Sequence, residues 1–152
     1  MDIHDALSKV EVYNTFTILP YASACGLIHR AKQHEDVFIR RMLESGREFC
    51  RNFLMYFSDK KQAERTDVHL VMGMERIFPG EPAKYHGWRN SISKVLGIVD
   101  NVLNSNPVED SEAKEAISTL EKLADKAKSI LYKEDAEAVL AGPLLPESYL
   151  HP

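Results

Sequence analysis

An all-α, up-and-down bundle of about five helices, with one long central helix, is what this sequence predicts. Three observations carry that expectation. Apolar residues recur every three or four positions through most of the chain, the period of a helix that buries one face. Prolines and glycines gather at a few points between these stretches, as at Pro79-Gly80, Asn106-Pro107 and Gly142-Pro143. Only residues 10–18 also alternate like a strand, and no second strand of similar quality is present to pair with them.

The first helix is expected from about Ile3 to Thr17, ended by Pro20, because the residue before a proline is biased away from helical geometry. From Tyr21 to Phe57 there is no proline, and Tyr21, Ala24, Ile28, Ala31, Phe38, Met42, Phe49, Phe53 and Tyr56 follow a helical seam. This stretch is the expected central helix. His34 and Glu35 interrupt its seam, and Gly46 is either a soft point or a place where another helix packs close. Ser58-Asp59 and Thr66-Asp67 each offer a helix start. A helix through Val68, Val71 and Met74 should then stop at Pro79. Pro82 opens the next, with its seam on Tyr85, Trp88, Ile92, Val95, Val99 and Val102, where Gly87 and Gly97 would admit a close neighbour. Asn106 and Pro107 are expected to begin the most regular helix, which runs through Ala113, Ile117, Leu120, Ala124 and Leu131. Its acidic start and basic end complement the helix dipole. A short helix over 134–141 and an arm over 144–152 complete the reading: one helical domain, 1–143, and a tail, 144–152.

Composition narrows the function classes. The chain has 152 residues, 44% hydrophobic and 28% charged, which suits one ordinary globular domain. Its net charge of −4 is uneven. Residues 28–94 hold 13 basic against 9 acidic side chains, and residues 95–152 hold 5 against 11. A basic middle and an acidic end suit attraction within the chain or between copies, and fall short of the charge of a dedicated nucleic-acid binder. No apolar run reaches the length of a membrane span. Asp2, Asp5 and Glu11 stand where an export signal would be positive, so a cytoplasmic protein is expected. Cys25 and Cys50 would lie about 37 Å apart on one continuous helix, too far to pair, and are expected to be buried free thiols.

No phosphate-cradling glycine loop, nucleophile elbow or Cys-x-x-Cys pair occurs. His29 and His34 are five apart, about 140° around a helix, so they cannot share a metal as histidines four apart do. No metal and no cofactor is expected. Three readings of function remain. The leading one is a non-catalytic helical interaction or regulatory protein, a homo-oligomer or the partner of another protein, with Met72, Met74 and Trp88 as interface candidates. The second is a nucleic-acid-associated protein using Arg40, Arg47 and Arg51, a stripe that follows the helical spacing and could track phosphates. The third is a bundle enzyme or metal site assembled from His34, Glu35, His69 and His86, which requires those side chains to converge.

Overall fold

The structure, a computed structural model, describes residues 3–30 and 36–132. Six α-helices occupy them: α1 (Ile3–Ile28), α2 (Val37–Ser58), α3 (Lys60–Thr66), α4 (Val68–Ile77), α5 (His86–Leu103) and α6 (Asp110–Ala127). A short 3₁₀ turn, Pro82–Tyr85, precedes α5, and a π turn, Lys128–Tyr132, continues α6. The fold is an all-α bundle. Helices α1, α2, α5 and α6 form a closed ring of neighbours in which each packs on the next and α6 returns to α1. Helix α4 lies across α1 and α2, and α3 links it to α2.

The expected boundaries of the first two helices are corrected. Pro20 does not end a helix; α1 runs through it. An interior proline costs about 3 kcal/mol, so tertiary contacts must outweigh it. The buried positions Phe16, Thr17, Pro20, Ser23, Ala24 and Leu27 show how: the seam crosses the proline in step, and α1 packs on α2, α4 and α6. The stretch from Tyr21 to Phe57 is in turn two helices. A tighter turn, His29 N–H to the Gly26 carbonyl at 3.1 Å, follows the end of α1. Asp36 then starts α2, its side chain accepting from the Phe38 and Ile39 N–H groups at 2.9 and 3.2 Å. An aspartate serving as an N-cap is a helix boundary.

The α1–α2 contact depends on small residues. A Cβ placed on Gly46 would lie 1.5 Å from Ser23 Oγ and 2.6 Å from its Cβ, and one on Gly26 would lie 2.9 Å from the Leu43 side chain. Where α4 crosses α1, a Cβ on Gly73 would lie 2.3 Å from the Phe16 ring. Gly46 is therefore a point of close helix approach. Gly87 and Gly97 are the reverse of what the sequence suggests, because nothing lies within 4 Å of a Cβ at either.

The caps explain the remaining boundaries. Asp59 accepts from Gln62 N–H at 3.1 Å and Asp67 from Leu70 N–H at 3.0 Å, so both expected starts are used. Helix α6 begins at Asp110 and not at Pro107, because Asn106 belongs to the end of α5. Its N–H reaches the Asn101 carbonyl at 2.8 Å, and Ser105 N–H reaches that of Val102 at 3.1 Å, with Ser105 at φ 58°. That pair of bonds around a left-handed residue is a Schellman ending.

A chain of aromatic contacts runs through the core. Phe16 meets Phe49 at 5.5 Å between centroids, Phe53 meets Phe78 at 5.7 Å, and Phe78 meets Trp88 at 5.7 Å. Edge-to-face pairs of this kind contribute beyond their buried area. They tie α1, α2, the turn after α4 and α5 into one core. Among the described residues no helix is long and apolar enough to cross a membrane. The helix expected over 134–141 and the tail 144–152 lie outside the described residues.

Candidate functional site

Of the proposed catalytic group, His34 and Glu35 lie outside the described residues. His69 is half-buried near the start of α4, and His86 is exposed at the first position of α5. The helices that carry them belong to different packing groups, α4 on α1 and α2, α5 on α2 and α6. Among the described residues no three His, Cys, Asp or Glu side chains are grouped so as to hold a metal ion.

The thiols differ from each other. Cys25 is exposed on α1, which corrects the expectation that both are buried, and Cys50 is fully buried on α2. Burial pushes the Cys50 thiol up to about 12, with the Asp100 carboxylate adding to the effect. A thiol held protonated in this way is not a nucleophile at neutral pH.

Of the arginine stripe, Arg40 is the member held at the α2–α5 interface. Arg40 Nη1 donates to the Leu103 carbonyl at 3.3 Å, and its Nε lies 3.2 Å from Glu44. A cation against the last carbonyls of α5 also complements that helix's dipole. Arg51 stands 4.0 Å from both Glu48 and Asp100, at the outer limit of an ion pair. Arg47 is half-buried between them along α2. The helical spacing of the three was legible in the sequence; the carbonyl and carboxylate supplied by α5 were not, since they lie about 50–60 residues away.

The interface candidates also separate. Met74 is fully buried and Trp88 is half-buried against Phe78, so both belong to the core of this chain. Met72 is 42% exposed. Val68, one turn earlier on the same face, is 49% exposed. Glu75 continues that face and pairs with Lys60 of α3 at 2.6 Å. This patch on α4, two apolar side chains beside an ion pair, is the surface that the sequence pointed to through Met72.

Of the clefts beside α5, two are larger than the one of about 350 Å³ lined by Gly87, Trp88, Ser91, Thr119 and Lys122. The one toward α6, about 410 Å³, carries Lys94, Glu112 and Glu115 in its wall, with Lys94 and Glu115 already 3.9 Å apart. The one toward α2, about 530 Å³, has a wall with two arginines and no carboxylate. Sequence reasoning missed the second cleft, because its wall alternates between residues 51–58 and 89–96.

No protein-family model matches the chain, and the comparisons with curated proteins and with solved structures found no match.

Proposed function

We propose that this protein is a non-catalytic helical interaction protein that self-associates through the exposed face of α4. The observation that carries this reading is the exposure of Val68 and Met72, 49% and 42%, on successive turns of one short helix. Apolar side chains adjoining on a surface, rather than scattered singly, mark contact sites. A second copy of the chain is the occupant that suits the patch. Lys60 and Glu75, paired within the chain at 2.6 Å, border it with both signs of charge, so a second copy meets no like-charge barrier there. Methionine adapts its shape to such a contact at low cost. The arginine alternative has less support, because Arg40 already donates to the Leu103 carbonyl and pairs with Glu44, which leaves the stripe without its first member.

Light scattering coupled to size exclusion, over a hundredfold range of protein concentration, tests the proposal. Wild type should approach twice the chain mass as concentration rises, and the Val68→Glu/Met72→Glu variant should remain at the chain mass with unchanged helicity. A wild type that stays monomeric throughout, or a variant that dimerises equally well, overturns it.

A further inference from the structure

The cleft between α2 and α5 is not used by the proposed self-association, and its chemistry is of another kind. Four apolar side chains line it, Leu54, Met55 and Phe57 of α2 and Leu96 of α5. Arg51 of α2 and Arg89 of α5 line it as well. No acidic side chain lines it, in a protein whose net charge is −4. The cleft is an open groove of about 530 Å³, with room for a small molecule laid along it.

The two arginines retain donors for a ligand. Arg89 is exposed and makes no hydrogen bond or ion pair among the described residues. Arg51 is half exposed, and both its carboxylate neighbours, Glu48 and Asp100, stand at 4.0 Å. Exposed pairs at that distance hold a guanidinium weakly. Asn90 and Ser93, also in the wall, add neutral hydrogen-bonding groups beside the cations. The contrast with the cleft on the other side of α5 decides between the two. There Lys94 faces Glu115 and the wall is net acidic, so an anion would be repelled.

We infer that the α2–α5 cleft binds a small anionic amphiphile, a carboxylate carrying an apolar chain. The carboxylate lies between Arg51 and Arg89, where planar guanidinium groups match its geometry. The chain lies on Leu54, Met55, Phe57 and Leu96, and its burial supplies the hydrophobic part of the affinity. Neither half suffices alone: a bare anion leaves the apolar side chains uncovered, and a neutral chain makes no contact with the charge of Arg51 and Arg89.

Decanoate, below its aggregation concentration, is the probe, and methyl NMR of the protein labelled at its five methionines is the readout. The Met55 methyl should shift saturably with decanoate, while that of Met72, on α4, stays in place. Arg51→Gln and Arg89→Gln should each weaken binding about tenfold, the loss of one charge-assisted hydrogen bond. Decanol should bind at least tenfold more weakly than decanoate, and inorganic phosphate should leave the Met55 methyl unmoved. Arg89 is exposed, so its replacement tests binding in a folded protein. A Met55 signal indifferent to decanoate overturns the inference. So does equal binding of decanol, equal binding of phosphate, or undiminished affinity in both arginine variants.

Discussion

Replacing Gly46 by alanine puts the α1–α2 packing to a direct test. An alanine Cβ at this position would stand 1.5 Å from Ser23 Oγ and 2.6 Å from Ser23 Cβ. The hydroxyl can rotate away, but the Ser23 Cβ moves only with α1 itself. Overpacking of this kind costs about 1–3 kcal/mol, and a contact with a backbone-attached atom belongs at the upper end. Alanine in place of an interior glycine returns about 1 kcal/mol of helix propensity. The net cost is about 2 kcal/mol, a fall in Tm of about 4–8 °C for a domain of this size. Thermal and urea unfolding followed by circular dichroism measure it. The partner change distinguishes this cause from others. Ser23→Gly removes both crowded atoms and should restore most of the loss in the Gly46→Ala background, whereas Ser23→Ala, which keeps the Cβ, should restore only part. A Gly46→Ala protein more stable than wild type, or a Ser23→Gly change that adds its own cost without rescue, would refute the reasoning.

Ser105→Gly should stabilise the protein by about 1 kcal/mol, because a non-glycine residue pays about 1–2 kcal/mol in the left-handed region that Ser105 occupies at φ 58°; urea midpoints compare the two. Asp36→Ala should cost about 1 kcal/mol by leaving the Phe38 and Ile39 N–H groups uncapped, and Asp36→Ser should recover most of it, again by urea unfolding. A thiol reagent at pH 8 should modify Cys25 rapidly and Cys50 only on unfolding, as counted by mass spectrometry, since the first is exposed and the second buried. The Cys50 thiol also sets an alkaline trend. Its proton is held to about 12 in the folded chain against an ordinary 9.0, so the unfolded chain binds fewer protons between those values. Stability should therefore be unaffected by this group below pH 9 and fall above it by about 1.4 kcal/mol per pH unit. Urea midpoints at pH 8, 9 and 10.5 for wild type and Cys50→Ala would show it, and equal slopes in the two proteins would exclude this cause.

The local elements were readable because their determinants are local. The seams of α5 and α6 fall where the three-to-four-residue recurrence puts them, on Ile92, Val95 and Val99 and on Ala113, Leu120 and Ala124. Asp59 and Asp67 both act as the helix starts that their side chains suggest. Pro20 misled because its cost is local while its compensation is not: α2, α4 and α6 surround the helix it interrupts. The signal was present, since the apolar period continues through Pro20 to Leu27 without a change of phase. The same weighting hid the end of α1, where the polar run after Ile28 reads as a break in a seam until Asp36 is seen capping a new helix.

Pattern alone determined the all-α class and most of the helix cores, because a helix's buried face is written at fixed short spacing. Tertiary structure decided which side chains remain available for a partner. Met72 and Met74 are two residues apart and identical in type, yet one is exposed and the other buried, since successive positions point 100° apart and only the placement of α4 on α1 and α2 selects the inner face. Arg51 and Arg89 meet in one cleft only because α2 and α5 pack together. Proximity of that kind comes from the path of the chain, and no spacing within either helix encodes it.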